Sequence, residues 1–311
     1  MRNKQFSRNK KFFALMMAVI FCTKVSYAQD LEPRLLSDMP TGANVAVASY
    51  AYSTGNILLE TALPIEDLSS EIHSAVFAYA RSLKLFNRLT KVDVVLPFAF
   101  ANFSGLVDSR DSSTYRQGLG DPSFRISMIL IGANPLKTAD FATREQKKFR
   151  LGVVARAKIP LGQYNSAKLI NLGTNRFALK LGIAGSYSIT KKLNWELHLN
   201  SWFFSENKSF FNGNTLKQKP MVTLQTHFSY AFTPRFWAAA SYGRSSLGET
   251  VLNGVEKNDV QNNSRSGLAL AYRLNQNHSF KAAFSTGVTT RYGSDYSTFL
   301  LAYQFMWFDK N

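Results

Sequence analysis

The sequence predicts an all-β protein, a transmembrane antiparallel up-and-down β-barrel of about twelve strands that follows an N-terminal signal peptide. Three observations predict it. The first is a basic and then apolar N-terminus. The second is a hydrophobic period of two that runs from about residue 44 onward. The third is an alternation of short and long connections between the periodic segments.

The composition of the 311 residues excludes three classes of protein. A single cysteine cannot form a disulfide within the chain, so a disulfide-stabilised scaffold is excluded. The 25 Phe, 13 Tyr and 4 Trp supply enough apolar surface to argue against extended disorder. No apolar run reaches the roughly 18 residues that a spanning helix needs, so a protein built from several such helices is excluded.

The first residues have the three parts of a secretory signal peptide. Residues 1–11 contain five basic side chains and no acidic one, residues 12–22 are apolar, and the small residues Ser26 and Ala28 follow. We therefore expect a signal peptide of residues 1–28, cleaved after Ala28. A lipoprotein signal acylated at Cys22 is the alternative, but the bulky Phe21 disfavours it. Cleavage would leave 31 basic and 20 acidic residues and no cysteine, which suits an oxidising compartment.

The period of two is clearest in residues 176–189. Large apolar side chains occupy most odd positions from Phe177 to Ile189, and small, polar or basic ones such as Lys180 occupy the even positions. Successive side chains of a strand point to opposite faces, so this alternation predicts a strand with one apolar face. Twelve segments contain this type of pattern: about 44–52, 72–85, 89–103, 121–132, 149–160, 174–189, 193–205, 220–232, 235–246, 264–274, 278–291 and 296–307.

A soluble sandwich or a lipocalin-like barrel could use similar strands, so strand length and connections decide. Ten residues tilted by about 45° span roughly 23 Å, which matches the apolar band of an outer-membrane barrel, whereas soluble strands are usually shorter. Such barrels also alternate short periplasmic turns with long external loops. Short connections are predicted near 86–88, 190–192, 233–234 and 275–277, and long ones at 53–71, 104–120, 161–173, 206–219 and 247–263.

The segment 133–148 departs from this alternation, because it is long but falls among the short turns. Either it forms a small periplasmic excursion, or the strand count is wrong by one pair nearby. An even number of strands is needed if both ends of the barrel lie in the periplasm. The residues that precede the first strand, 29–43, are predicted to form a short periplasmic segment or a plug inside the barrel, and residues 44–311 the barrel itself.

Aromatic residues cluster near the ends of the predicted strands, as in the membrane-interface girdles of such barrels. The clusters are Phe98, Phe100 and Phe103; Trp202, Phe203 and Phe204; Phe236 and Trp237; and Tyr303, Phe305, Trp307 and Phe308.

The polar faces of the strands would line the lumen and are mostly basic. A positive interior would attract anions such as carboxylates, while the alternative is a ladder of charged side chains that packs a narrow barrel. The candidate lumen-lining residues are Arg125, Arg156, Lys158, Arg176, Lys180, Glu196, His198, His227 and Lys281.

Other function classes have little support in the sequence. A secreted barrel has no nucleic acid to bind, and no Gly-rich phosphate loop joins a strand to a helix. The four histidines share no metal-ligand spacing, so we expect neither a metal nor another cofactor. The pairs His73-Ser74 and His278-Ser279 point to opposite strand faces, and no G-x-S-x-G motif occurs, so we expect no enzyme.

Three short motifs carry a family resemblance. The stretch Gly118-Leu119-Gly120-Asp121-Pro122-Ser123 opens a predicted strand, residues 160–164 (Pro-Leu-Gly-Gln-Tyr) close another, and residues 171–175 (Asn-Leu-Gly-Thr-Asn) open the next. Over roughly 40–307 the chain resembles the outer-membrane proteins of the phenol meta-pathway type, which are related to long-chain fatty-acid channels. The resemblance implies a monomeric barrel that passes hydrophobic or aromatic compounds, and it implies no catalytic residues.

We therefore predict a passive outer-membrane channel for small hydrophobic or aromatic compounds, anionic ones among them, which would cross through the basic lumen or a lateral gap. The alternatives are a plugged structural or surface-interaction barrel and, with less support, a membrane-embedded lipid hydrolase. The expected partners are outer-membrane lipid, lipopolysaccharide, the solute and the assembly machinery, with no nucleic acid and a monomeric state.

Overall fold

The computed structural model describes residues 31–56, 65–107, 109–292 and 295–309. The predicted signal peptide and the cleavage after Ala28 lie outside the described residues, as does part of the predicted loop 53–71.

The described residues form seventeen strands and one short α-helix. The strands are β1 (Ala43–Asn56), β2 (Ile65–Leu85), β3 (Arg88–Val107), β4 (Arg110–Leu119), β5 (Ser123–Ile131), β6 (Phe149–Lys158), β7 (Ala178–Ser188), β8 (Leu193–Phe204), β9 (Asn207–Phe210), β10 (Asn214–Gln218), β11 (Met221–Thr233), β12 (Phe236–Leu247), β13 (Thr250–Leu252), β14 (Val255–Glu256), β15 (Gln261–Arg273), β16 (His278–Thr289) and β17 (Asp295–Phe308).

Twelve of these strands close into an antiparallel barrel. Each pairs with its neighbours around the ring, and the ring closes because β1 pairs with both β2 and β17. The ring members are β1, β2, β3, β5, β6, β7, β8, β11, β12, β15, β16 and β17. The predicted fold class and strand number are therefore confirmed, and each of the twelve predicted segments overlaps one ring strand.

The alternation of side chains gives the barrel an apolar outer surface. On β7, Leu179, Leu181 and Ile183 are exposed, whereas Lys180 and Ala184, at even positions of the same strand, are buried. Most of the large aliphatic and aromatic side chains thus face outward, where a lipid bilayer would cover them, and most of the polar side chains face inward.

The two ends of the barrel differ in their connections. One end, the short-turn end, has tight turns such as Phe86-Asn87, in which both residues have positive φ (48° and 58°) as a type I′ hairpin requires. The other, the long-loop end, carries a separate four-stranded sheet of β9, β10, β13 and β14. The segments 104–120, 206–219 and 247–263 were expected to be loops, and this expectation was wrong in that each contains strands. Pairing with a neighbouring hairpin overrides their polar composition.

The fourth ring position holds a broken strand. Both β4 and β5 pair with β3, β4 against Phe98–Val107 and β5 against Leu89–Val95, and residues 120–122 form the break between them. The strand β6 pairs with β5, so the chain after β6 leaves the ring beside β4. Proline at 122 supplies no ladder donor, which explains why the ladder stops here.

The segment 133–148 is an excursion at the short-turn end. It contains a single helical turn, α1 (Thr138–Phe141), and packs against the N-terminal segment. The Thr41 amide donates to the Leu136 carbonyl (2.8 Å), and the Arg144 Nε donates to Asp38 (2.7 Å). Of the two explanations for this segment, the excursion is therefore the correct one. Among the described residues no helix is both long and apolar enough to cross a bilayer.

Candidate functional site: the inner wall of the barrel

Three predicted lumen residues lie side by side on the inner wall. The strand register places Arg125 opposite Arg156 and Arg156 opposite Lys180, so the three cations form one row across β5, β6 and β7. We call Arg125, Arg156 and Lys180 the cation row. Asp93 on β3 continues the row on one side and Trp202 on β8 continues it on the other. Like charges directly opposite each other repel, so the row needs an anion nearby.

Glu32 of the N-terminal segment supplies that anion. Its Oε1 atom pairs with Arg125 (3.0 Å) and with Arg156, and its Oε2 atom lies 3.6 Å from Lys180. Burial alone would raise the pKa of Glu32, but the charges of Arg125, Arg156 and Lys180 outweigh it and hold the pKa far below its ordinary value. The Nε atom of Arg125 also donates to Asp93 (2.6 Å).

The rest of residues 31–42 lies inside the barrel at the short-turn end. Leu36 is fully buried against Leu89, Ile129 and Val154, which face inward. Gly152 leaves room for it, because a Cβ there would lie 2.8 Å from Leu36 Cδ2. These contacts favour the plug reading of the N-terminal segment.

Polar contacts hold this segment around the whole wall. The Arg34 amide donates to Glu196 Oε2 (2.7 Å), and the Arg34 guanidinium lies 5.0 Å from the centre of the Trp237 ring. Lys91 donates to two carbonyls of the segment, those of Leu35 and Ser37. Asp38 pairs with Arg144 and Arg150.

Two aromatic rings on the inner wall carry cations, both toward the long-loop end. Lys158 and Lys180 lie 5.6 Å and 5.5 Å from the centre of the Trp202 ring, and Arg176 lies 4.9 Å from the centre of the Phe204 ring. The two rings are stacked, 6.4 Å apart. This corrects the prediction that this cluster belongs to an outer girdle: only Phe203 of the three faces outward, and Trp237 also faces inward, toward Arg34.

The predicted residues Glu196, His198 and His227 form a buried cluster. The two imidazole rings lie 4.7 Å apart, and His198 Nε2 lies 3.6 Å from Glu196. His227 Nδ1 makes a 2.8 Å hydrogen bond with Ser241. This Ser–His pair is on the inner wall and not at the bilayer face, where a lipid hydrolase would need it. Lys281 faces inward between Ala271 and Ala302 and is half-buried.

The outward-facing histidines pair with tyrosines. His73 bonds to the hydroxyl of Tyr50 and His278 to that of Tyr303, both at 2.6 Å. No group of three or more His, Cys, Asp or Glu side chains suited to a metal ion occurs in the described ranges.

The three sequence motifs meet at the break between β4 and β5. Asp121 accepts hydrogen bonds from the Gly162 amide (3.0 Å), the Thr174 amide (2.9 Å) and the Thr174 hydroxyl (2.7 Å). Gly173 lies directly on Gly162, since a Cβ on Gly173 would sit 2.7 Å from the Gly162 carbonyl carbon. The motifs therefore fasten the connection 159–177 beside β4.

An apolar cavity of about 380 Å³ lies at the long-loop end, beside this connection. Arg116 and Lys168 are the charged residues that line it, and Arg116 donates to the Ile170 carbonyl (2.8 Å). The apolar residues that line it include Ile65, Leu68, Phe103, Leu169, Ile170 and Phe211. Its size and lining suit a small hydrophobic molecule.

A second cavity, of about 590 Å³, lies on the outer face of β5 to β8. Outward side chains such as Ile126, Leu181 and Phe203 line it. The ladder pairs beneath it are continuous from β5 to β8, so it is a groove on the wall and not a gap through it.

Several inner-wall residues were not predicted from the sequence. Glu32 and Arg34 precede the first strand, where no periodicity exists to orient a side chain. Arg265 is only 2% exposed and faces inward, with its guanidinium 4.1 Å from the centre of the Tyr296 ring. The period of two that places Gly267 and Ala269 on the inner face could have identified it.

Comparisons with known proteins agree with this architecture. The family model described as "Putative MetA-pathway of phenol degradation" matches residues 46–303. An outer-membrane channel from Pseudomonas putida F1 superposes with a TM-score of 0.73 and 18% identity, covering 89% of this chain and 100% of that chain. A search of curated proteins finds no match in sequence.

Two autotransporter domains superpose less closely. The transport unit of AIDA-I from Escherichia coli gives a TM-score of 0.51 at 10% identity, over 90% of this chain and 93% of that chain. The β domain of the Bordetella autotransporter BrkA gives 0.50 at 9% identity, over 86% and 100%. At identities this low, the superpositions establish a shared barrel fold and nothing further.

Proposed function

Since the chain belongs to the family of the putative MetA-pathway of phenol degradation, we propose that it is a passive outer-membrane channel for small hydrophobic or aromatic solutes, including anionic ones. The short-turn end would face the periplasm and the long-loop end the exterior, as in outer-membrane barrels generally. The solute would pass along the inner wall and not through a lateral gap, because cations and aromatic rings line that wall.

The observation that carries the proposal is the pairing of cations with aromatic faces on the inner wall. Lys158 and Lys180 at Trp202, and Arg176 at Phe204, would attract a negative group and offer its apolar part a ring to stack on. The apolar cavity beside Arg116 adds a place at the long-loop end where such a solute could first bind.

A planar bilayer holding the refolded mature protein tests the proposal. In a gradient of sodium benzoate, the reversal potential should show benzoate crossing more readily than sodium. Benzyl alcohol should interrupt the benzoate current if neutral aromatics share the path. Charge reversal in Arg156→Glu or Lys180→Glu should shift the reversal potential toward the equilibrium potential of sodium. Lys191→Glu, on an exposed short turn, is the matched control and should change it much less.

A plugged interaction barrel is the second candidate, favoured by the N-terminal segment inside the barrel. Its ion pairs to Arg125, Arg156 and Arg150 hold it across the lumen. If the protein inserts into the bilayer but carries no benzoate, even in variants with the segment loosened, the channel proposal fails and this second candidate replaces it.

A further inference from the structure

The cation row is an arrangement that folding alone does not favour. Arg125, Arg156 and Lys180 face each other directly on neighbouring strands, and Arg156 and Lys180 are 7% and 5% exposed. Buried like charges in register repel strongly when nothing neutralises them. Asp93, bonded to Arg125, balances one of the three. The row and Asp93 together carry a net charge of +2, which Glu32 of the N-terminal segment lowers to +1.

Glu32 neutralises part of this positive charge, and it binds the row as a ligand would. It belongs to no barrel strand, and the carboxylate approaches the row from inside the lumen. Two guanidinium groups hold one carboxylate oxygen and an ammonium group lies near the other. Multidentate contact of this kind is how proteins recognise carboxylates. The row is thus a formed carboxylate site with an occupant from the same chain.

We infer that Arg125, Arg156 and Lys180 bind the carboxylate of a solute, and that Glu32 occupies this site until an aromatic carboxylate takes its place. The inference rests on the proposed channel function and narrows its substrate class to aromatic monocarboxylates.

Lys180 indicates where the rest of the solute would lie. Its Nζ atom lies near both Glu32 and Trp202, 3.6 Å from Glu32 Oε2 and 5.5 Å from the centre of the Trp202 ring. Trp202 also stands opposite Lys180 in the strand register. A solute whose carboxylate replaces that of Glu32 therefore has an indole face beside it at the Lys180 end of the row, and an aromatic ring gains from contact with that face.

The exchange would release one anchor of the N-terminal segment and leave the others. Asp38 remains paired with Arg144 and Arg150, and the Arg34 amide remains bonded to Glu196. The solute thus competes with a tethered carboxylate. Its apparent affinity in the wild-type protein is its intrinsic affinity multiplied by the fraction of sites that Glu32 leaves free.

Titration calorimetry of the detergent-folded mature protein with sodium benzoate tests this inference. Glu32→Ala removes the carboxylate that bridges the row and should lower the dissociation constant at least tenfold. Asp38→Ala is the matched control, because it removes the other ion-paired carboxylate of the segment but leaves the row occupied, and its dissociation constant should stay near that of the wild type. Benzamide, which lacks the charge, should bind all three proteins equally weakly.

A second pair of variants assigns the effect to the row. In the Glu32→Ala background, Arg156→Gln should abolish the gain in benzoate affinity, and Arg156→Lys should retain most of it. The slower migration of each protein on a denaturing gel after heating shows that its barrel had folded. If Glu32→Ala leaves the affinity unchanged, or Asp38→Ala raises it equally, the row is not the site and the inference is overturned.

The bilayer measurement separates this inference from the proposed function. Tighter benzoate binding in Glu32→Ala without any benzoate current supports the site and contradicts the channel. A benzoate current together with unchanged affinity in Glu32→Ala supports the channel and contradicts the site.

Discussion

Gly162 and Gly173 lie in contact at the long-loop end, where the three sequence motifs meet. A Cβ on Gly173 would sit 2.7 Å from one backbone atom of Gly162 and 2.8 Å from another. Backbone at that distance cannot move aside as the end of a flexible side chain can. The Asp121 carboxylate holds the same place from the other side through Gly162 and Thr174. These glycines are therefore needed for close approach of the backbone.

Replacing Gly173 with alanine should consequently destabilise the folded barrel. We expect a loss of about 1–3 kcal/mol, the usual cost of overpacking a tight contact. The measurement is urea unfolding of the vesicle-folded protein, followed by tryptophan fluorescence. Gly185→Ala is the control, because a Cβ at Gly185 meets nothing within 4 Å. An equal loss in both variants would show that these glycines matter here for a reason other than contact.

The same residues show what the sequence could reveal at this scale. The three motifs were recognisable as family features, and Asp121 was recognisable as the start of a strand. The contacts between the three motifs were not recognisable, because residues 121, 162 and 173 come together only through the strand break. The direction of Trp202 was missed for a related reason: an aromatic residue near a strand end suits a girdle equally well, and only its register with Lys180 decides.

Among the elements, the N-terminal segment depends most on charge. It is held by Glu32 and Asp38, which both lie outside the spanning strands. Burial by itself would raise the pKa of Asp38, but the hydrogen bond from Arg144 and the charge of Arg150 lower it below the ordinary value. The pKa of Glu32 is lowered in the same way by the cation row.

The docking of this segment should therefore resist mild acid. A carboxylate whose pKa is lowered by docking stabilises the docked state at any pH above its undocked pKa of about 4, and this stabilisation is lost as the pH falls through the lowered value. A spin label at Met39→Cys should stay immobilised from pH 8 to about pH 4 and become mobile only as the pH falls well below 4. A label at Gln276→Cys, on a short turn, controls for loss of the barrel. Release between pH 7 and pH 5 would contradict this account.

The broken strand formed by β4 and β5 could be predicted from the sequence only in part. The period of two identified β5, but the polar stretch Arg110-Asp111-Ser112-Ser113-Thr114 reads as a loop, and it pairs with β3 all the same. The small sheet of β9, β10, β13 and β14 was missed because it is stabilised by pairing between hairpins distant in the chain. Both cases follow from the dependence of strands on partners that local composition does not indicate.

At the scale of the whole molecule, the even ring of twelve strands places both barrel termini at the short-turn end. If that end faces the periplasm, a cysteine in place of Lys257 should react in intact cells with a large, membrane-impermeant maleimide. A cysteine in place of Gln276 should react only after the outer membrane is opened. The mature chain contains no other cysteine if cleavage occurs as predicted, so the labelling is unambiguous. The reverse pattern would mean that the barrel is inserted with its long loops inward.

The overall architecture was the most predictable part of the protein. Strand number, closure and the basic inner wall all follow from alternation along single strands, which the sequence displays directly. The arrangement of charges inside does not, since Arg125, Arg156 and Lys180 form a row only through the register of three strands. Their anion, Glu32, lies in a segment without periodicity, so its place in the row could be known only from the folded chain.

The N-terminal segment also implies an order of folding. Its partners lie around the full circumference: Lys91 on β3, Glu196 on β8, Trp237 on β12 and, beside Leu31, Gly267 on β15. This binding surface exists only once those strands have met, so a segment that precedes every strand in the chain acquires its position after them. Docking of the segment would then report that the ring is complete, and an unfinished barrel would keep this stretch of chain accessible to proteases and chaperones.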